Sequence, residues 1–134
     1  MNKLISISVL TIIISGCASI PADPQASRVI ASPNAAPKEC KYAGQVVGNQ
    51  GNFFTGGFTS NRNLEEGAMN DLRNKASRLG ANYIQLVTNR AGVTGSTSGS
   101  FDRQGGYISG GSQQTNVTNL GNAYRCPPKS IGLE

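Results

Sequence analysis

Alternating apolar and polar positions in the middle of the chain predict a strand, a helix and two further strands. Residues 41–48 alternate with period two between two sets of side chains, as in a strand with one buried face. Residues 83–88 are rich in β-branched and aromatic side chains, which predicts a second strand. A third strand is predicted over residues 122–126, because Pro127 and Pro128 cannot continue strand pairing.

The spacing of leucine and alanine predicts the helix, which we expect to begin at Asn63 and to stop at Gly80. One apolar stripe for packing on a sheet is formed by Leu64, Ala68, Leu72, Ala76 and Leu79. Asn63 is the predicted N-cap, with Glu66 reaching back to it in a variant of the capping box. Glu65 and Glu66 then favour the positive end of the helix dipole, which explains them without acid–base chemistry.

These elements indicate an α+β domain in which one helix packs on a small, mainly antiparallel sheet. Between the second and third strands, residues 92–121 are rich in Gly, Ser, Thr, Asn and Gln. Such a segment lacks the apolar content of a folded unit, so we expect a disordered, Gly-rich loop there. The alternative is a loose hairpin around Phe101, Tyr107 and Ile108.

Three phenylalanines, Phe53, Phe54 and Phe58, lie in a Gly- and Asn-rich connection after the first strand. The chain has no Trp, 4 Phe and 4 Tyr, so aromatic side chains are scarce and these three are expected to complete the core. The alternative is contact with a partner or a membrane. The candidate partner-contact residues are therefore these three and Tyr107.

The first residues have the form of a bacterial lipoprotein leader. An apolar run over residues 4–14 follows Lys3 and ends in the sequence ISGC at 14–17, which looks like a lipobox. The run is shorter than the roughly 20 residues that a membrane-spanning helix needs. We therefore expect residues 1–16 to be a signal peptide, cleaved between Gly16 and Cys17.

Likeness to the lipoprotein class implies acyl chains, such as palmitate, on the sulfur and the amine of Cys17. Two or more acyl chains anchor a protein stably, whereas one binds reversibly. The next residue is Ala18 and not Asp, which in such lipoproteins implies sorting to the outer membrane.

Prolines among small polar residues over 17–38 predict a flexible tether between lipid and domain, with residues 28–30 as a candidate edge strand. The folded domain is expected over residues 39–128 and a tail over 129–134.

Of the 3 cysteines, the lipobox uses Cys17, which leaves Cys40 and Cys126. In an exported protein these two are expected to form a disulfide. A redox-active pair would need nearby cysteines such as C-x-x-C, so the bond is predicted to be structural.

The distribution of charge argues against a nucleic-acid partner, and the residue types argue against catalysis. The net charge of +5 is spread along the chain and indicates solvation, so no nucleic-acid partner is expected. The chain has no His, which removes His-based triads and histidine metal clusters. A hydrolase built on Glu39, Asp71 or Asp102 would remain, but no spacing selects a pair. We expect no enzyme activity, cofactor or metal site.

Four segments carry a resemblance to a known family: CKYAG at 40–44, NDLRNKA at 70–76, LGANY at 79–83 and GNAYRC at 121–126. With the lipobox, they resemble a bacterial lipoprotein family catalogued as domain of unknown function DUF4156, for which no reaction is implied. More distantly, a lipidated cysteine before a small disulfide-bonded α+β domain is similar to RcsF, an outer-membrane sensor lipoprotein of the envelope-stress response. RcsF has more cysteines in its domain.

The expected function is that of a non-catalytic binding module, anchored by lipid to the outer membrane and facing the periplasm. Its partners would be the membrane itself and either another envelope protein or peptidoglycan. One alternative is an envelope-stress sensor, and another is a structural accessory that contacts cell-wall polymer. The oligomeric state is left open.

Overall fold

The computed structural model describes residues 18–52, 56–102 and 105–133, with backbone alone for 93–102, 106–110 and 112–113. Within these residues lie four strands and one α-helix: β1 (Ile30–Ser32), β2 (Lys41–Gly51), α1 (Asn61–Arg78), β3 (Tyr83–Asp102) and β4 (Gly105–Arg125). Short 3-10 turns lie at Ala26–Arg28, Gly56–Phe58 and Pro128–Ile131.

The four strands form one sheet in the order β1-β3-β4-β2. Strand β1 pairs in parallel with β3, whereas β3 with β4 and β4 with β2 are antiparallel. The helix covers one face of this sheet. The predicted α+β architecture with a mainly antiparallel sheet is confirmed.

The helix begins earlier than predicted. Its N-cap is Ser60, whose Oγ accepts a hydrogen bond from the backbone N–H of Asn63 at 3.2 Å. The prediction of Asn63 as N-cap was wrong, because a serine three residues upstream supplies the same kind of side-chain acceptor. Glu65 and Glu66 consequently lie beyond the first turn. The helix ends as expected, with Leu79 as C-cap and Gly80 at φ +70°.

The predicted apolar stripe faces the sheet. Its four inner members, Leu64, Ala68, Leu72 and Ala76, are fully buried, while Leu79 at the end is 37% exposed. Across the interface, Leu72 and Ala76 share a core cluster with Ile84 and Ala123. Leu64 and Ala68 form a second cluster with Val117 on β4.

The long polar segment between the inner strands is paired, not disordered. Strands β3 and β4 continue their antiparallel register from Gly92 opposite Asn116 to Asp102 opposite Gly105. The expectation of a disordered loop over 92–121 was therefore wrong. Backbone hydrogen bonds between two strands need no apolar side chains, so hydrophobic content alone did not reveal them.

Among the residues that the structure describes, no third strand pairs with the outer part of this hairpin. Pairing of β4 with β2 ends at Gly51 opposite Asn116. Residues 93–102 and 105–114 therefore continue as a two-stranded extension, which we call the ribbon. At about 3.3 Å per residue, its ten residues per strand extend roughly 33 Å beyond the sheet.

From Ala18 onward the segment expected to be a tether is docked on the domain by hydrogen bonds and by β1, so the expectation of a flexible tether was wrong for these residues. Residue 17 lies outside the described residues. The candidate edge strand at 28–30 is shifted, because β1 spans Ile30–Ser32 and pairs with residues 83–85. The tail also contains structure, since Pro128–Ile131 forms a 3-10 turn.

The predicted disulfide is confirmed. Cys40 and Cys126 are bonded across a sequence separation of 86 residues, joining the start of β2 to the end of β4. In the chain-entropy model, closing a loop of this length stabilises the folded state by up to about 4.5 kcal/mol. That is a large share of the stability of a small domain.

Close contact between α1 and β2 gives the first testable prediction. A Cβ on Gly48 would collide with two backbone atoms of the helix, the Ala68 carbonyl oxygen and the Leu72 nitrogen. We expect Gly48→Ala to lower the free energy of unfolding by about 1–3 kcal/mol, because the helix must move off the sheet. Urea denaturation followed by circular dichroism measures this.

The matched control is Gly111→Ala in the ribbon, where nothing lies within 4 Å of the added Cβ. Its free energy of unfolding should stay within about 0.5 kcal/mol of the native value. Equal midpoints for both variants would contradict the tight helix–sheet contact.

Candidate functional site

The packing of the helix gives the domain two distinct ends. Leu64 packs at Gly51 and Leu79 packs at Gly44, so α1 runs antiparallel to β2. We call the end with the start of α1, Gly51 and the root of the ribbon the ribbon end. The opposite end, which carries the Cys40–Cys126 bond, is the disulfide end.

The first described residues are held between β2 and α1 by side-chain amides. The Gln50 side chain accepts from the Ile20 N–H at 2.7 Å and donates to the Ala18 carbonyl at 3.0 Å. Asn70 donates to the Ile20 carbonyl at 2.9 Å. Gly67 makes room for this arrangement, since a Cβ there would overlap the Gln50 amide.

Farther along α1, Asn74 holds the next part of the segment. Its side chain is buried, accepts from the Asp23 N–H at 2.8 Å and donates to the Pro21 carbonyl at 3.0 Å. The contacts thus advance from Gly67 to Asn74 as the chain proceeds. Ala18, the first described residue, therefore lies toward the ribbon end, and Cys17 directly precedes it in the sequence.

Phe58 is exposed at the same end. It closes the turn Gly56–Phe58, two residues before the helix cap Ser60, and is 82% exposed. Gly56 fixes this turn against the backbone of Thr115 on β4. The expectation that Phe58 completes the core was wrong, because glycine contacts hold the turn without its side chain.

The other candidate contact residues are placed less fully. Phe53 and Phe54 lie outside the described residues, so their assignment stays a prediction. The backbone of Tyr107 pairs with Ser100 in the outer ribbon. Partner contact by these residues and by Phe58 also stays a prediction.

The sheet face opposite the helix carries exposed apolar and aromatic side chains, and we call it the open face. Tyr42 is 61% exposed and Val47 is 39% exposed. The ring of Tyr42 meets that of Tyr124 edge to face, with centroids 5.7 Å apart and planes at 71°. In the sequence, the alternation of the strands is the signal that points to this face.

A shallow groove of about 590 Å³ lies at the disulfide end, between Arg28, Asn82, Pro128, Gly132 and Leu133. The side-chain amide of Asn82 in this groove is already hydrogen-bonded within the protein. It donates to the Cys126 carbonyl and accepts from the Cys126 N–H, both at 2.8 Å. The groove offers one cation and no acid–base pair, so we assign it no chemistry.

Of the carboxylates considered for hydrolysis, the two with described side chains, Asp71 and Glu39, are not brought together. Asp71 accepts from Lys75 Nζ at 2.7 Å and from the Asn49 N–H at 3.0 Å, which ties the helix to β2. Glu39 lies beyond the other end of that strand, next to the disulfide, and the side chain of Asp102 is outside the described part. Within the described ranges, no three His, Cys, Asp or Glu residues are grouped as for a metal ion.

Comparison with known proteins identifies relatives without a known activity. The family model described as "Domain of unknown function (DUF4156)" matches residues 21–126. Proteins named "Uncharacterized protein YjeI" from Escherichia coli K12, Escherichia coli O6:H1 and Shigella flexneri are each 31% identical over 80 residues. The alignment covers 58% of this chain and 67% of the relative.

Among the residues for which the structure gives positions, no helix has the length and apolarity to cross a bilayer.

The docking of the N-terminal segment predicts the effect of Asn74→Ala. Loss of both amide contacts should lower the free energy of unfolding by about 1–3 kcal/mol, since a buried N–H and carbonyl lose their partner. The amide of Asp23 should exchange faster with deuterium, while that of Ile20, held by Gln50, should keep its protection. Hydrogen exchange read by NMR resolves both amides.

Asn61→Ala, at the exposed first position of α1, serves as control and should change neither amide. Unaltered protection of Asp23 in Asn74→Ala would show that this contact does not hold the segment.

Proposed function

The chain belongs to the family described as domain of unknown function DUF4156, and we propose that it is a lipid-anchored, non-catalytic binding module of the bacterial cell envelope. In this proposal Cys17 is acylated, the anchor lies in the outer membrane, and the domain faces the periplasm. Its partner is another envelope protein or peptidoglycan. Roles in envelope-stress sensing or in wall structure stay predictions from the sequence.

The proposal depends mainly on the contrast between the leader-like residues before Cys17 and the docked residue directly after it. Before it stand Lys3, the apolar run 4–14 and the small residues of the lipobox, a pattern that signal peptidases recognise. Directly after it, Ala18 already contacts Gln50. Cleavage before Cys17 would therefore remove the leader and leave every contact of the docked segment in place.

The disulfide supports export to an oxidising compartment. Bonds such as Cys40–Cys126 persist outside the cytoplasm and are rare within it. The bond also occupies both other cysteines, which leaves Cys17 as the thiol for acylation.

A binding role is supported by the engagement of Asp71 in the fold and by the exposed side chains of the open face. Asp71 is committed to Lys75 and to the backbone of β2, where its hydrogen bonds serve the fold. Tyr42 and Val47 instead present apolar surface on the open face. Exposed aromatic residues are enriched where proteins contact partners.

Lipidation and sorting are tested by two substitutions. Intact-mass spectrometry of the protein extracted from membranes should show a chain that starts at Cys17 and carries acyl groups. Cys17→Ala should abolish both the cleavage before residue 17 and the acylation. The variant protein should then be absent from the membrane fraction. Ala18→Asp should keep the acyl groups but move the protein from the outer to the inner membrane on density gradients.

Ala18→Ser is the matched control and should sediment like the native protein. A Cys17→Ala protein that still floats with membranes would overturn the lipid anchor. Unchanged sedimentation of Ala18→Asp would overturn outer-membrane sorting alone.

Partner binding by the open face is tested by photo-crosslinking in cells, with benzoylphenylalanine at Tyr42 and, as control, at exposed Glu65 on α1. We expect a discrete adduct at position 42 alone, either with one protein or with lysozyme-released muropeptides. Adducts at both positions or at neither would contradict a binding role of the open face.

A further inference from the structure

We propose that the ribbon end rests directly on the bilayer that holds the lipid of Cys17, with Phe58 as its apolar contact and the ribbon lying along the headgroups. The proposal rests on the acylation of Cys17 argued above. It adds an orientation and a second, protein-made contact with the membrane.

The first step is the shortness of the connection. Cys17 is covalently next to Ala18, whose carbonyl already accepts from Gln50. Consecutive Cα atoms are about 3.8 Å apart, so the acylated residue lies about 4 Å from a docked one. A free segment over 17–38 would have allowed the domain to stand tens of Å away. The docked chain instead keeps the domain at the membrane surface.

The second step is which end meets the bilayer. The docked segment contacts Gly67 first and Asn74 later, so Ala18, to which Cys17 is covalently bonded, lies toward the start of α1. With a rise of about 1.5 Å per residue, Gly67 is about 9 Å along the axis from Asn61. Phe58 is three residues before Asn61. The acylated cysteine and the exposed phenylalanine therefore share the ribbon end.

The third step is the contact itself. Phe58 is 82% exposed to water in a turn that Gly56 holds against β4. Moving a phenylalanine side chain out of water is favourable in proportion to the apolar area removed. Because the lipid already confines the domain to the surface, this gain has only to bias its orientation and need not provide the affinity. Tryptophan and tyrosine are enriched at the bilayer interface, and phenylalanine is among the side chains that interfacial helices bury at the boundary of headgroups and acyl chains.

The ribbon extends from the ribbon end, so in this orientation it also lies at the bilayer surface. Insertion into hydrocarbon would leave the N–H and carbonyl groups on its two edges without partners, which is strongly unfavourable. Headgroups and water can satisfy those groups. Between Ala91 and Tyr124, only Asp102 and Arg103 carry charge, so few charges lose water when the ribbon lies flat. Phe101 and Tyr107 stand near its tip in the strand register.

The chain has no Trp, so single tryptophans make specific reporters. Phe58→Trp reports on the ribbon end, and Tyr42→Trp, at a residue 61% exposed near the disulfide end, is the matched control. Tyr107→Trp reports on the ribbon. The lipidated full-length variants are purified from membranes and reconstituted into phosphatidylethanolamine–phosphatidylglycerol vesicles that contain brominated acyl chains.

We expect bromolipid to quench the fluorescence of Phe58→Trp by about twofold with a blue-shifted emission, because interfacial aromatics lie near the acyl boundary. Tyr107→Trp should respond similarly, whereas Tyr42→Trp should be unaffected.

Three other outcomes would count against the proposal. If the mass spectrum shows the lipid but Phe58→Trp and Tyr42→Trp are quenched equally and weakly, the proposed bilayer contact is overturned. The lipid anchor itself would not be affected by this result. Quenching of Phe58→Trp without quenching of Tyr107→Trp would overturn the ribbon's place alone. Absence of lipid in the same mass spectrum would overturn the proposed function, and this inference with it.

Discussion

The contact of the α1 backbone with Gly48 is the constraint on which the other features depend. The Ala68 carbonyl and the Leu72 nitrogen both lie where any larger residue would place its Cβ. Two hydrogen bonds beside it, from Lys75 to the Val47 carbonyl and from the Asn49 N–H to Asp71, fix the helix along β2. With its position set, α1 presents Asn70 and Asn74 to the N-terminal segment and places Phe58 at the ribbon end.

The core formed by this contact is small and contains an unfavourable group. Asn119 on β4 is 1% exposed, and its side-chain oxygen and nitrogen have no hydrogen-bond partner among the described residues. An unsatisfied buried polar group costs about 1–3 kcal/mol. The Cys40–Cys126 bond restricts the unfolded chain and offsets such a cost, so the stability of this domain depends on oxidising conditions that keep the bond intact.

Local patterns predicted the helix, most of β2, the start of β3, the end of β4 and the disulfide, because each has a signal within a short segment or a residue type. The leucine–alanine stripe needs only its own spacing, and two cysteines left over from the lipobox can pair in one way. Docking of residues 18–23 was missed, because it depends on amides at Gln50 and Asn74 that are remote in sequence and read as surface residues. The ribbon was given only as the alternative to disorder, as a loose hairpin around Phe101, Tyr107 and Ile108, because its strands pair through backbone groups. For the candidate site, Cys17 and Phe58 could be named from the sequence, but the end of the domain at which Ala18 and Phe58 lie could not.

The N-terminal segment, residues 18–23, is held by side-chain amides more than by its ion pair. Asp23 and Arg78 form an ion pair at 3.5 Å, but their side chains are 51% and 68% exposed, and such surface pairs contribute about 0–1 kcal/mol. The Asn74 amide is buried and satisfies two backbone groups that would otherwise lose water without a partner. Amides therefore hold the segment more than charges do. Since neutral hydrogen bonds are little screened by salt, the docking of residues 18–23 persists across ionic strengths. The orientation that we propose for the domain relative to a lipid on Cys17 would persist with it.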